Sequence, residues 1–117
     1  MIAATGRGRE AGDDPDRNVL QLVGLARRAG FAVVGTQAVR DSARRGELSV
    51  VVVAQDATEN ARRRLRGMLE DSELAVVTRG TRSDLGRAVG RSEVVVVGVR
   101  DKGLGQKIVG EGRTTAG

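Results

Sequence analysis

The chain contains no cysteine, histidine, tryptophan or tyrosine, and it has a single proline, Pro15, and a single aromatic residue, Phe31. Without cysteine there is neither a disulfide framework nor a thiolate metal site, which fits a reducing compartment. Without histidine, the chain also lacks the usual general base, the common zinc ligands and every Ser-His-Asp or Cys-His arrangement. We therefore expect a protein that is not an enzyme and that uses no metal and no cofactor.

Other absences narrow the binding chemistry. One aromatic residue cannot build the stacking platform with which many proteins bind single-stranded nucleic acids. No apolar run reaches the length of about 18 residues that a membrane-spanning helix needs. No apolar stretch follows the charges near the N-terminus, so we expect no signal peptide, no membrane association and a cytoplasmic location.

The glycines do not form a nucleotide-binding motif. The segment GLGQKIVG, residues 103–110, begins as G-x-G but has Ile108 where the dinucleotide fingerprint requires its third glycine. No G-x-x-x-x-G-K-[ST] sequence occurs in the chain, so a phosphate loop of that type is absent as well. A nucleotide cofactor is therefore not expected.

The charge favours a polyanionic partner. Lysine and arginine number 20 against 15 acidic residues, which gives a formal net charge of +5, and all but Lys102 and Lys107 of the basic residues are arginine. The planar guanidinium group suits phosphate, and a basic excess raises the local concentration of polyanions. A codon bias towards arginine, alanine, glycine and valine would give the same composition, so composition alone leaves nucleic-acid binding open.

The chain has room for one domain. Residues 1–16 and 111–117 are rich in glycine or charge, and we expect both to be disordered tails. The predicted elements between them are a helix from Arg17 to Ala29 capped by Asp16, a strand over 31–34, a helix from Thr36 to Arg45, a strand over 48–55, a helix capped by Thr58, a strand over 74–78, a short helix starting at Thr81 or Ser83, a strand over 93–99 and a short helix over 101–109. Helices that alternate with continuous apolar strands predict a three-layer α/β/α sandwich around a mixed, mostly buried sheet of about four strands.

The second predicted helix has a polar stripe. Gln37, Arg40, Asp41 and Arg44 follow the spacing i, i+3, i+4 and i+7, on the side opposite the apolar residues that include Val39. The stripe begins at a helix N-terminus, where free N–H groups favour an anion. Two interpretations remain open: the stripe contacts RNA, or it is a solvated surface in which Asp41 pairs with an arginine one turn away.

Two further patterns lie near the second long strand. In AQDATEN, residues 54–60, Asp56 and Thr58 can cap the first turn of the following helix, and such a terminus also suits phosphate. An arginine cluster follows at residues 62–66, pointing away from the apolar stripe of that helix. The spacing favours a solvated helix face for this cluster over a binding surface.

Several segments resemble one known family when they are taken together in order. They are LVGLARRAG, VVGTQAV, ARRGELSVVVVAQDATEN, LGRAVGR and VVVVGVRDKGLGQKI, and they span residues 17–109. The ordered set resembles the kink-turn RNA-binding ribosomal protein superfamily, of the ribosomal L-seven-Ae and L-thirty-e type. It is most similar to the small bacterial YlxQ-type members of that superfamily, whose fold is also an α/β/α sandwich.

The resemblance implies RNA binding at one edge of the sandwich. In the superfamily, RNA contacts the helix after the glycine that matches Gly35, the strand end that matches Gln55, and the turn before the last strand, here residues 90–93. The RNA-binding residues that we expect on this basis are Gly35, Thr36, Gln37, Arg40, Arg44, Gln55, Arg91 and Ser92.

The chain departs from the pattern of tight kink-turn binders at three positions of that helix. Those members carry Asn, Glu and Lys where this chain has Gln37, Ala38 and Asp41. Gln37 keeps an amide on a longer arm, Ala38 lacks the carboxylate that accepts from guanine, and Asp41 places a negative charge where a cation met phosphate. Gln55 likewise stands where many binders have Glu.

Two functions follow as alternatives. The first is a non-enzymatic, monomeric protein that binds structured RNA, ribosomal or kink-turn-like, alone or beside a ribosomal or RNA-processing protein. The second is a protein-interaction or substrate-recruiting module of a translation or RNA-modification complex, in which kink-turn specificity is lost. The two differ in salt dependence, because RNA binding weakens steeply with salt and a mainly apolar protein interface does not.

Overall fold

The computed structural model describes residues 14–70 and 72–113, so most of both predicted tails lies outside it. In chain order the elements are α1 (Pro15–Arg28), β1 (Ala32–Val34), α2 (Thr36–Arg44), β2 (Val50–Val53), α3 (Glu59–Leu69), β3 (Ala75–Thr78), α4 (Arg82–Ala88), β4 (Val96–Val99) and α5 (Lys102–Arg113). None of the helices in these ranges is both long enough and apolar enough to cross a membrane.

The four strands form one mixed sheet in the order β1-β4-β2-β3. Strand β4 lies in the centre and runs antiparallel to both of its neighbours, while β2 and β3 are parallel. Every residue of β2 and β4 is buried, as the continuous valine runs predicted for strands covered on both faces. The predicted mixed sheet of four strands is therefore confirmed.

Helices cover the sheet on both faces. The apolar residues of α1, α4 and α5 pack on one face; the core there includes Val23, Leu85, Ile108 and Val97. Helices α2 and α3 cover the other face through residues such as Val39 and Leu65. This arrangement confirms the three-layer α/β/α sandwich.

The first helix begins earlier than predicted. It starts at Pro15, and the carboxylate of Asp14, rather than that of Asp16, caps it by accepting from the N–H of Arg17 at 3.2 Å. Proline suits the first helical position because its missing N–H is not needed there. Asp16 instead lies 3.7 Å from the guanidinium group of Arg79, so residues 14–16 belong to the folded domain and not to the predicted tail, the rest of which lies outside the described residues.

The last helix extends four residues beyond the predicted end, through the glycine-rich segment that was expected to begin the C-terminal tail. Its final turns have partners far away in the sequence. Asn18 donates to the Glu111 carboxylate at 2.8 Å, and Arg79 donates to the Gly112 carbonyl at 2.9 Å. A Cβ on Gly112 would lie 2.6 Å from a methyl group of Val77, so glycine permits this close approach to β3.

The paired strands are shorter than the apolar runs that predicted them. Leu48 and Ala54 are buried but lie outside the paired segment of β2. An apolar run therefore marks where the chain is buried, which extends beyond the hydrogen-bonded ladder. The predicted cap of α3 is confirmed, since Thr58 accepts from the Ala61 N–H. Of the two predicted starts of α4, the structure has Thr81, which forms a capping box with Asp84.

We predict opposite effects of alanine at two helical glycines. A Cβ on Gly86 would lie 2.7–2.8 Å from backbone atoms of residues 91–93, whereas a Cβ on Gly67 meets nothing within 4 Å. Gly86→Ala should lower the free energy of unfolding by about 1–3 kcal/mol through overpacking. Gly67→Ala should raise it by about 0.4–1 kcal/mol, because alanine loses less backbone entropy. Urea denaturation of the two variants measures both effects, and equal values would contradict the tight contact at Gly86.

Candidate nucleic-acid interface

Three strand ends meet at one end of the sheet and define the candidate site. Strands β1 and β2 end there, and β4 begins there because it is antiparallel to both. The Gly35 N–H donates to the Val96 carbonyl at 3.0 Å, and the Ala54 N–H donates to the Val95 carbonyl at 2.8 Å. These bonds bring the start of α2, the end of β2 and the loop before β4 together, as the resemblance implied.

Helix α2 begins at this end without a side-chain cap. Gly35 occupies the N-cap position with a φ of 97°, a conformation that glycine adopts readily and other residues rarely do. Its carbonyl accepts from the Val39 N–H at 3.0 Å, but no side chain caps the first turn. The N–H groups of Thr36 and its neighbours therefore remain able to donate to an external acceptor.

The polar stripe of α2 forms a network of its own. The Gln37 amide accepts from the Arg40 guanidinium group at 3.2 Å and donates to the Asp41 carboxylate at 3.5 Å. Among the described residues, Asp41 forms no ion pair with Arg44 or Arg45, and Arg45 pairs with Glu47 at 3.1 Å instead. The pairing of Asp41 with an arginine one turn away, which belonged to the second interpretation of the stripe, is therefore absent from the described residues, and the Gln37 amide links the Asp41 charge to that of Arg40.

The two arginines of the stripe lie along the helix rather than at its start. At 1.5 Å per residue, Arg40 and Arg44 are about 6 Å and 12 Å along the axis from Thr36. Both line a shallow groove between α2 and α3, opposite Gly67 and Met68. The structure thus places them beside α3, away from the strand ends that carry Gly35, Thr36 and Gln55.

Gln55 lies immediately beyond β2, at the candidate site. Its backbone N–H donates to the Gly80 carbonyl at 2.7 Å. Its side-chain amide is exposed and has no hydrogen-bond partner in the described part of the chain. The guanidinium group of Arg62 donates to the Gln55 carbonyl. Arg62 therefore belongs to this edge, although the sequence favoured a solvated helix face for its cluster.

Asp56 has a different role from the predicted one. Its carboxylate accepts from the backbone N–H of Arg82 at 2.8 Å and lies 3.5 Å from the Nε of the same residue. Thr58 alone caps α3, with a distance of 3.1 Å to the Ala61 N–H. Asp56 thus ties the end of β2 to the start of α4, a contact that sequence spacing did not predict.

Gly86 positions the loop that carries Arg91 and Ser92. The Arg91 N–H donates to the Gly86 carbonyl at 2.7 Å, and the Val94 N–H donates to the Arg82 carbonyl at 3.0 Å. Arg91 and Ser92 are exposed and lie against the middle of α4, before the loop turns back into β4. The role of Gly86 in positioning this loop is not predicted from the sequence, in which its only signal is a glycine inside a helical pattern.

Comparisons of the sequence with known proteins identify its family. The model of the Ribosomal protein L7Ae/L30e/S12e/Gadd45 family matches residues 17–109. RNA-binding protein YlxQ of Bacillus subtilis (strain 168) is 30% identical over 88 residues, which are 75% of this chain and 88% of that protein. These two matches confirm the resemblance found in the sequence.

Solved structures extend the comparison to three dimensions. A protein of unknown function from Bacillus halodurans superposes with a TM-score of 0.75 at 32% identity, over 80% of this chain and 95% of that one. The Giardia lamblia 15.5kD RNA binding protein superposes with a TM-score of 0.70 at 22% identity, over 84% of each chain, and shares the fold. The chain described here belongs to the Ribosomal protein L7Ae/L30e/S12e/Gadd45 family.

Proposed function

We propose that this protein is a monomeric, cytoplasmic, non-enzymatic RNA-binding protein that contacts structured RNA through the end of the sheet where α2 begins. Family membership and a relative named as an RNA-binding protein support RNA as the ligand. The net charge of +5 favours the same partner. The observation that carries the proposal is the arrangement of the uncapped N-terminus of α2 and the exposed amide of Gln55 on either side of the start of β4, where neither has a side-chain partner among the described residues.

Each part of the site has a distinct role in the proposal. The first-turn N–H groups and the Thr36 hydroxyl donate to phosphate oxygens, which a helix N-terminus attracts. Gln37 and Gln55 carry amides that both donate and accept, so they contact base edges. Arg40, Arg44 and the loop residues Arg91 and Ser92 contact the backbone, which positions the RNA without specifying its sequence.

Two positions of α2 limit specificity in this proposal. Ala38 offers no carboxylate to a guanine, and the Asp41 charge repels phosphate except where Arg40 offsets it through Gln37. Any base-specific contact by Gln37 has to replace its bonds to Arg40 and Asp41. We therefore propose a preference for kinked RNA that rests on Gln37 and Gln55 and is weaker than that of members carrying the full motif.

A titration of the purified protein tests the proposed function. The ligands are a kink-turn RNA, the same duplex without its bulge, and a structured ribosomal RNA fragment, each at two salt concentrations. We expect salt-sensitive binding to all three and tightest binding to the kinked RNA. Absence of salt-dependent binding to any of them would refute RNA binding, and equal affinities would refute kink preference alone.

Reversing the charge at Asp41 should strengthen RNA binding. We predict that Asp41→Lys binds kink-turn RNA roughly tenfold more tightly at low salt and steepens the slope of log K against log salt by about one. Glu73→Lys is the matched control, because it makes the same charge change at an exposed position just before β3, at the opposite end of the sheet. If both variants gain equally, net charge rather than the position of Asp41 explains the effect.

Removing the two amides should reduce discrimination more than affinity. In the double variant Gln37→Ala/Gln55→Ala, we predict that the preference for kinked RNA over plain duplex falls roughly tenfold, because base-edge contacts are lost and phosphate contacts remain. Gln106→Ala, at an exposed glutamine of α5, is the control and should keep the preference. An unchanged ratio in the double variant would remove both residues from the proposed site.

A second candidate function is docking of a protein partner. A groove between α3 and the edge strand β3 is lined by apolar residues that include Leu69 and Val76, and Val76 is 49% exposed. Exposed apolar surface of this kind favours a protein interface. If none of the three RNAs binds, and the chain binds a protein partner with an affinity that persists at high salt, this second function would be supported in place of the first.

A further inference from the structure

Helix α3 carries four closely spaced arginines, and only the first of them, Arg62, lies at the edge of the proposed RNA-binding site. Arg62, Arg63, Arg64 and Arg66 are all exposed. The ion pairs of the described residues join Arg45 to Glu47, Arg79 to Asp16 and Arg82 to Asp56. Within those residues, the four arginines of α3 therefore have no carboxylate partner, and we refer to them as the α3 arginines.

The α3 arginines are continuous with the candidate site. The Arg62 guanidinium group donates to the Gln55 carbonyl, so the first of them is held at the end of β2. Arg66 follows one turn later, about 6 Å along the axis, on the same side of the helix. The cationic surface therefore starts at the proposed RNA edge and extends away from it along α3.

Helix α2 joins this surface from the other side. Arg40 and Arg44 line the groove between α2 and α3, where they face Gly67 and Met68. The α2 and α3 layer thus presents arginines from both helices on its solvent side. A polyanion that is bound at the end of the sheet and extends along this layer would contact arginines of both helices.

The position of most of the α3 arginines does not stabilise the helix. Of the four, only Arg66 lies in the last turn of α3, where the helix dipole favours positive charge, and the dipole contributes nothing favourable to Arg62, Arg63 or Arg64. Arg62 and Arg66 are separated by four residues, a spacing at which like charges repel by a few tenths of a kcal/mol. Since no carboxylate pairs with any of the four in the described structure and the dipole favours only Arg66, the cluster suits an external anion.

The chemistry of the surface selects the form of that anion. Arginine binds phosphate oxygens through its planar fork of donors. Binding of single strands relies on aromatic stacking, but the one aromatic residue, Phe31, precedes β1 and so lies at the opposite end of that strand from Gly35. A surface of guanidinium groups without aromatic residues fits the phosphates of a base-paired stem.

We propose that the α3 arginines form a second phosphate-binding surface, which holds a double-stranded RNA stem adjoining the feature bound at the end of the sheet. This inference rests on the proposed RNA-binding function and deepens it, because it assigns a stem contact to a helix face outside the site built from α2, Gln55 and the loop at residues 90–93. The stem contributes affinity through its phosphates and no sequence specificity.

The test compares two kink-turn RNAs that differ only in stem length. One stem is too short to extend along α3, and the other is longer by about one turn of the duplex. The variant Arg63→Gln/Arg64→Gln/Arg66→Gln removes three charges and leaves Arg62 in the edge site. The control Arg17→Gln/Arg28→Gln/Arg87→Gln removes three exposed charges from the opposite layer, on α1 and α4. Urea denaturation establishes that both variants fold.

We expect the α3 variant to lose affinity for the long-stem RNA and to flatten its slope of log K against log salt by two to three, or about one per lost contact. Its affinity for the short-stem RNA should change no more than that of the control variant. Replacing the same three arginines with lysine should retain most of the slope, because lysine keeps the charge.

The outcomes separate this inference from the proposed function. If the wild-type protein binds neither RNA, both fail. If the wild type binds both RNAs and the α3 variant matches the control on each stem length, the proposed function stands and the stem contact is refuted. If the α3 arginines bind an acidic protein surface and no RNA stem, the experiment gives this second result, which overturns the proposal.

Discussion

Strand β4 lies between β1 and β2 and runs antiparallel to both, and the geometry of the candidate site depends on this placement. Strand β4 begins where its neighbours end. The carbonyl of Val96, its first residue, therefore accepts from the Gly35 N–H on one side, and the carbonyl of the preceding Val95 accepts from the Ala54 N–H on the other. The start of α2 and the end of β2 are thereby held at fixed positions relative to each other. Val96 and Val97 are fully buried, so the core that stabilises the sheet also positions the polar edge.

Hydrogen bonds and an ion pair also connect the loops at this end of the sheet. Asp56 binds the first N–H of α4 and the guanidinium group of the same residue, Arg82, which in turn accepts from Val94 through its carbonyl. Gly86 lets the loop at residues 91–93 lie directly on α4. Arg91 and Ser92 are therefore exposed on a backbone that is hydrogen-bonded to rigid elements, which lowers the entropy that a ligand contact has to offset.

The sequence predicted those features that depend on neighbouring residues and missed those that depend on distant ones. The caps Thr58 and Thr81 act within three residues, and the valine runs of β2 and β4 mark burial directly. Asp56 binds a residue 26 positions away, so local spacing assigned it to the wrong helix. The glycine-rich end of α5 is held by Asn18, 93 positions earlier, and a pattern read locally therefore predicted a tail.

The distribution of charge suggests how the proposed site balances specificity against affinity. Under the proposed function, Ala38 and Asp41 offer neither a base contact nor a phosphate contact on α2, and Gln37 bonds to its own neighbours Arg40 and Asp41. The exposed α3 arginines add positive charge next to this edge, where we propose that they contact phosphates. Phosphate contacts position RNA and strengthen binding without distinguishing bases. Under the proposed function, a chain with this arrangement recognises the shape of a kinked or branched stem more than its sequence, and its affinity depends more on salt than on the identity of the bases at the bend.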